Sequence, residues 1–378
     1  MFEKKISREL QEIEENNLLR IREDRNYDLL NFSDNDYLGL RNNKTIAKAM
    51  KKSIDEFGNG AGASHLISGH FQSHTNLELK IANLLHFEDA LFFHSGFNAN
   101  VSFFKNIING DFDIFLDKLC HASIYDGILS TQSTVIRYPH LDYEALEQKI
   151  TKSKKEHKII VTDSIFSMDG DIADLSRLYS LSKKYKTYLY IDDAHGFGIY
   201  GSKGLGLLES QMPADIDKSN IIHLTTFGKS AGLSGAIICA SKKIIDYLKQ
   251  KSREYIYTTA SPPYLADGII KSIELIMDGE KLRKKLNENI KLFRHLINKK
   301  QYLVNVYGPI QPILIKNNQM VIYIQNELLK SNIHVAAIRS PTVPLSESRI
   351  RVSISARHSK SDIVQLADVL NKSLSHVN

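Results

Sequence analysis

The chain is short of several things, and each shortage removes a class of protein. Among 378 residues there are two cysteines, Cys120 and Cys239, and no tryptophan. Two isolated cysteines build neither a disulfide framework nor a zinc site, and a reducing cytoplasm is the expected setting. No apolar run approaches the ~20 residues needed to cross a bilayer. The first ten residues, MFEKKISREL, are too charged for a signal peptide. No internal repeat or low-complexity segment is visible. The net charge is +6, but the lysines are scattered and no aromatic-basic motif accompanies them, so charge alone does not select nucleic acid.

What is present is ordinary in proportion and informative in pattern. Hydrophobic residues at 42% and charged residues at 24% fit a soluble globular protein, and the length suggests two or three lobes. Residues 4–25 predict a helix, with Ile6, Leu10, Ile13, Leu18 and Ile21 spaced three to five apart among charges. Residues 31–40 read as an irregular connection. From 43 to 265, apolar runs at 90–93, 114–117, 135–138, 158–162, 187–192, 221–225 and 235–240 alternate with helical patterns. That alternation predicts an α/β fold, a mainly parallel sheet with helices on both faces. After Pro262-Pro263 the pattern changes to longer helices, strands at 310–315, 334–338 and 349–355, and a closing helix, which reads as a smaller C-terminal α/β domain. The expected organisation is 1–42, an N-terminal helix and connection; 43–265, a large domain; and 266–378, a small one.

Three segments carry chemistry. In Leu224-Thr225-Thr226-Phe227-Gly228-Lys229-Ser230-Ala231-Gly232 a lysine follows a β-prone run among small residues and hydroxyls, as an amine that must meet a flat aldehyde requires. In Tyr190-Ile191-Asp192-Asp193-Ala194-His195 a second run ends in an acid, with a histidine three residues on. Asp192 is placed to pair with a protonated pyridine nitrogen and His195 to reach a phenolic oxygen, while Asp193 reads as structural. Ala90 to Asn100 reads as strand, small turn and helix start, so the N–H groups of Gly96 and Phe97 can face an anion. Thr226, three before Lys229, is expected at the same phosphate. Lysine, pyridinium partner and phosphate cradle together suit pyridoxal 5′-phosphate.

Two other patterns are set aside. Gly58-Asn59-Gly60-Ala61-Gly62 and Gly201-Ser202-Lys203-Gly204-Leu205-Gly206 do not close a strand and open a helix in the order a phosphate loop needs. His65, His70 and His74 are spaced five and four apart, which does not place them on one helix face, and no acid ligand accompanies them. They are expected to be solvated or substrate-side rather than a metal site.

These segments, with Asn31 to Leu40, Cys120-His121-Ala122-Ser123, Phe166 to Asp171, Ile256 to Pro263 and Ile338 to Pro344, resemble the α-oxoamine synthases almost end to end. These are pyridoxal-phosphate enzymes that join an amino acid to an acyl thioester and release carbon dioxide. The resemblance implies the fold type I, aspartate aminotransferase-like architecture and a homodimer with sites at the interface. It implies that His121 stacks on the cofactor ring, that Ser167 lies against the cofactor, and that Thr259 binds the phosphate of the partner subunit. It assigns the substrate carboxylate to Arg351 with help from Asn35. Alternation along the strand points Arg349 and Arg351 the same way. It places Thr342 and Arg20 at the acyl substrate, with Arg22 close by. His195-Gly196-Phe197-Gly198 matches the branch that uses L-alanine and a pimeloyl thioester, carried on coenzyme A or an acyl carrier protein, in biotin synthesis. Ser64-His65 departs from the serine-arginine pair common in the family. The alternative is a glycine-using sister such as 2-amino-3-ketobutyrate CoA ligase or 5-aminolevulinate synthase. A plain aminotransferase is disfavoured by the synthase motifs, and a non-catalytic descendant by the joint presence of Lys229, Asp192, His195 and Arg351.

Overall fold

The computed structural model describes residues 2–15, 19, 22, 24, 28–108, 110–340 and 343–377. They fall into two compact units. One comprises 35–286 with 355–357; the other comprises 1–34, 287–354 and 358–378. The larger unit thus extends past the expected limit at 265, because helix Pro263–Met277 packs along helices Lys44–Phe57 and Gln72–Leu85. The first 34 residues group with the C-terminal part of the chain.

Strand β1 (Leu30–Asn31) belongs to the smaller unit. The larger unit holds β2 (Asp89–Phe93), β3 (Phe112–Asp117), β4 (Thr134–Tyr138), β5 (His157–Asp163), β6 (Tyr188–Asp192), β7 (Ile221–Thr226) and β8 (Ala236–Ala240). Its sheet has the order β2-β8-β7-β6-β5-β3-β4. The central strands are buried along most of their length, β7 and β8 completely. That double-sided burial is why they read in sequence as unbroken apolar runs rather than alternating ones. Strands β4, β3, β5, β6 and β7 pair in parallel, whereas β8 runs antiparallel to both β7 and β2. Strand β2 therefore points the same way as the parallel set. The C-terminal ends of all six, and the N-terminal end of β8, lie along one edge of the sheet, where ligands of open α/β sheets bind.

In the smaller unit, β9 (Ile310–Leu314), β10 (Ile333–His334), β11 (Ala336–Ile338) and β12 (Arg349–Ser353) complete the strands. An antiparallel sheet has the order β11-β12-β9, and β1 pairs in parallel with β10. The single strand expected at 334–338 is two strands in two sheets. Val335 divides them, its carbonyl accepting a hydrogen bond from Gln325 Nε2 at 3.1 Å. The N-terminal helix is Phe2–Glu15, shorter than the expected 4–25, and Leu19, Arg22 and Asp24 are not helical. Asn16-Asn17, which follow it in the sequence, are poor helix formers. Among the described residues no helix is long and apolar enough to cross a membrane.

Candidate active site

A cavity of about 300 Å³ opens at that sheet edge. One wall begins where β2 stops at Phe93 and the chain turns through His94 and Ser95 into helix Gly96–Ile107. Ser95 caps the helix by accepting the Asn98 N–H at 3.2 Å, and the other first-turn amides give this end a positive potential. Position 96 admits only glycine: a Cβ there would lie 2.7 Å from Thr226 Cγ2. Thr226, the last residue of β7, has its Oγ1 buried without a hydrogen-bond partner. A buried hydroxyl in want of a partner, beside a helix N-terminus that approaches it closely, fits a bound phosphate.

The opposite wall is acidic. Asp192 ends β6 in register with Asp163, which ends β5. Burial, and then the charge of Asp192, push Asp163 well above the usual carboxylate range, against the His121 N–H that it accepts at 3.3 Å. The Asp192 carboxylate accepts from Ala194 N at 3.1 Å and from Asn100 Nδ2 at 2.9 Å. His195 follows on the same turn, its Nδ1 2.8 Å from the Tyr37 hydroxyl. Behind them the buried Asp193 ties three segments together, bonding Ser164 Oγ at 2.5 Å, Leu207 N at 2.8 Å and His223 Nε2 at 3.2 Å.

Lys229 lies in the loop from β7 to β8. That loop is pinned at its neck by Phe227 N to Gly235 O at 2.9 Å and Leu233 N to Phe227 O at 2.8 Å. The half-buried side chain of Lys229 borders the cavity. His121 caps helix Ala122–Leu129 and also borders it. Burial lowers the His121 imidazole below its ordinary 6.5; Asp192 opposes this and Lys229 adds to it, so the ring is neutral near pH 7.

Of the expected site residues, Gly96, Phe97, His121, Asp192, His195, Thr226, Lys229 and Asn35 border one cavity. Ser167 and Thr259 do not. Ser167 sits in the turn beyond Ile165, which takes that part of the wall. Thr259 is exposed, its carbonyl accepting from His94 Nε2 at 2.7 Å. Arg351 lies in the smaller unit, buried in the middle strand of its sheet, with Nη1 2.9 Å from Ser353 Oγ. Arg20 and Thr342 fall outside the described residues; Arg22 is exposed.

Of His65, His70 and His74, expected to be solvated or substrate-side, His70 is exposed and the other two are not solvated. Their ring nitrogens gather within 4.8 Å, and His65 and His74 are buried. A π-helical turn, His65–Gly69, brings residues five apart to the same side, and His65 Nδ1 lies 2.9 Å from His70 Nδ1. Burial and mutual repulsion lower His65 to about 3. Both nitrogens of His74 already serve the backbone, at Phe71 N and Ser261 O. None of the three borders the main cavity.

Sequence reasoning passed over Asn100, Ser123 and Asp163, all of which border it. The register of helix Gly96–Ile107 held one clue, since Asn100 lies one turn beyond Gly96 on the same face.

Residues 27–370 match the model of the family described as aminotransferase class I and II. The chain is 41% identical over 349 residues to the 8-amino-7-oxononanoate synthase of Dechloromonas aromatica, covering 91% of this chain and 89% of that one. It is 39% identical over 344 residues to the enzyme of the same name from Nitrosospira multiformis, covering 91% and 86%. Among solved structures, the 8-amino-7-oxononanoate synthase of Francisella tularensis superposes with a TM-score of 0.79 at 28% identity, covering 92% of this chain and 98% of that one. The Sphingomonas wittichii serine palmitoyltransferase superposes at 0.87 with 26% identity, covering 92% and 88%. The lysine, acid and cradle of the cavity, together with this likeness over nine-tenths of the chain, place the protein in the aminotransferase class I and II family, as an α-oxoamine synthase of fold type I.

Proposed function

We propose that the protein is a pyridoxal-phosphate-dependent acyltransferase that condenses L-alanine with a pimeloyl thioester, with loss of carbon dioxide, to give 8-amino-7-oxononanoate for biotin synthesis. The carrying observation is the meeting of Lys229, Asp192, His195 and the Gly96–Thr226 cradle in one cavity. When bound, the cofactor supplies an electron sink for the electron pair left at the alanine Cα.

The protein's residues do the rest. The N-terminus of helix Gly96–Ile107 and Thr226 Oγ1 hold the phosphate. Asp192 keeps a proton on the ring nitrogen, which sustains the electron demand. His121, neutral, would lie beside the ring, and His195 would serve its phenolic oxygen. Lys229 Nζ would hold the cofactor's aldehyde carbon and, when free, would take the alanine Cα proton and later return one to that carbon. For the alanine carboxylate we propose Arg351, whose guanidinium suits a charge-assisted contact. Holding that carboxylate would orient the Cα bonds and so select which of them breaks. For the acyl chain we propose Thr342 and Arg20, on the resemblance alone. Ser167, which the resemblance assigns to the cofactor, does not border the cavity and takes no part.

We further propose that the enzyme works as a cytoplasmic homodimer in which Thr259 serves the partner's phosphate; its exposure on its own chain supports that reading. The test is an assay of L-alanine against glycine, each with pimeloyl-coenzyme A and with pimeloyl-acyl carrier protein, read by mass spectrometry. Formation of 8-amino-7-oxononanoate from alanine is expected. Product from glycine alone would make the protein the sister enzyme.

A further inference from the structure

Four buried side chains, Tyr190, Asn100, Asp192 and Ser123, join the exposed His121 in a single hydrogen-bonded branch at the cavity wall. Tyr190 O–H donates to Asn100 Oδ1 at 2.6 Å. Asn100 Nδ2 donates to Asp192 Oδ2 at 2.9 Å and to Ser123 Oγ at 2.9 Å. Ser123 Oγ lies 2.7 Å from His121 Nδ1. Asn100, Ser123 and Tyr190 are at most 1% exposed, so water does not compete for the bonds among these three.

The chemistry of the groups fixes every direction in the branch. An ionised Asp192 only accepts, so the amide must turn its NH₂ to it and its carbonyl to Tyr190. Burial, with Asp192 and Asp163 nearby, holds the Tyr190 phenol well above its ordinary value, so it remains a donor. The two amide hydrogens are then both spent, one on Asp192 and one on Ser123. Ser123 Oγ, accepting from the amide, turns its own hydrogen to His121 Nδ1. That nitrogen also accepts the Ser123 backbone N–H at 3.3 Å, which it could not do if protonated. The neutral His121 therefore carries its proton on Nε2.

We propose that Asn100 is a positioning residue that sets both ring-contacting groups at once, orienting the Asp192 carboxylate directly and fixing the His121 tautomer through Ser123. The role rests on the function proposed above, but its first consequence does not need the cofactor.

Asn100→Asp tests it, being nearly the same size but without hydrogens to donate when ionised. In the apo protein labelled with ¹⁵N-histidine, the His121 ring, assigned by its loss in His121→Gln, is expected to show only the Nε2–H form in the parent. In Asn100→Asp the Ser123 hydroxyl turns to the new carboxylate, and an Nδ1–H population is expected. Titration with pyridoxal 5′-phosphate, read by absorbance, is expected to give at least tenfold weaker binding. Ser123→Ala cuts only the histidine arm, so the tautomer is expected to mix while affinity changes less than threefold. Should Asn100→Asp not fold, Asn100→Leu, close in size and without hydrogens to donate, takes its place. An Nδ1–H signal in the parent, a His121 spectrum unchanged in the variant used, or an affinity loss in Ser123→Ala equal to that at Asn100 would overturn the proposal. Failure of the parent to take up the cofactor on Lys229 would instead sink the proposed function, leaving the tautomer result intact.

Discussion

His140 offers a quantitative test of the loops that shape the cavity. Its Nδ1 lies 2.9 Å from Asp117 Oδ1 and its Nε2 3.1 Å from Asp171 Oδ2. Two carboxylates accept from both nitrogens, so the ring must be doubly protonated. Burial alone would lower its pKa, but the bonds to Asp117 and Asp171 override this and raise it to about 9. The charged ring thereby ties the end of β3, which leads into His121, to the turn that carries Ser167. A group whose pKa is about 9 folded and 6.5 unfolded contributes stability that is complete below pH 6.5 and lost as pH rises through 9. At about 1.4 kcal/mol per pKa unit the ceiling is roughly 3 kcal/mol. The side chains of His140 and Asp171 remain 15% and 27% exposed, and solvent screening reduces this to about 1.5 kcal/mol. His140→Gln removes the charge but keeps much of the volume. Urea unfolding should be followed by far-ultraviolet circular dichroism or tyrosine fluorescence, since the chain has no tryptophan. The parent should exceed the variant by about 1.5 kcal/mol more at pH 6 than at pH 9.5. A difference that stays flat across this range would refute a charged His140.

Thr226→Val should leave the apo protein as stable as the parent or more so, because it deletes a buried hydroxyl without a partner. It should also weaken pyridoxal 5′-phosphate binding by about ten- to a hundredfold, the loss of one hydrogen bond to an anion; equal affinity by absorbance titration would take Thr226 out of the cradle. Borohydride treatment of the cofactor-loaded protein should fix a pyridoxyl mass on the peptide containing Lys229, and label on another lysine would reassign the residue. Arg351→Ala should raise the alanine KM by at least tenfold, for loss of a contact of about 1.5–3 kcal/mol, with the thioester KM little changed; the opposite pattern would move Arg351 to the acyl site.

The sheet was legible because its strands are covered on both sides. Ile114–Asp117, Ile221–Thr225 and Gly235–Ala240 each fall within two residues of an observed strand. The direction of β8 was not, since an apolar run reads alike in either sense. The smaller unit was harder, because the divide at Val335 depends on Gln325 across the chain rather than on any local signal. Within the cavity, Lys229, Asp192 and His195 stand out in sequence because charged groups end apolar runs there. Asn100 and Ser123 do not, as they are small polar residues whose partners lie 92 and 23 positions away. Period two along β6 places Tyr190 and Asp192 on one face, but the amide that joins them comes from another element. The histidine cluster escaped because an α-helical period was assumed across a π-helical turn.

Asp192 is the last residue of a central strand, its neighbours Asp163 and Leu224 held in register on either side. To move its Cα, two strand pairings would have to open. The loops that leave the same edge carry no such constraint. Substitutions at their positions away from Gly96, His195 and Lys229 can reshape the mouth of the cavity, while the Asp192 carboxylate stays in place. A sheet edge arranged in this way separates what a lineage of enzymes can change from what it must keep.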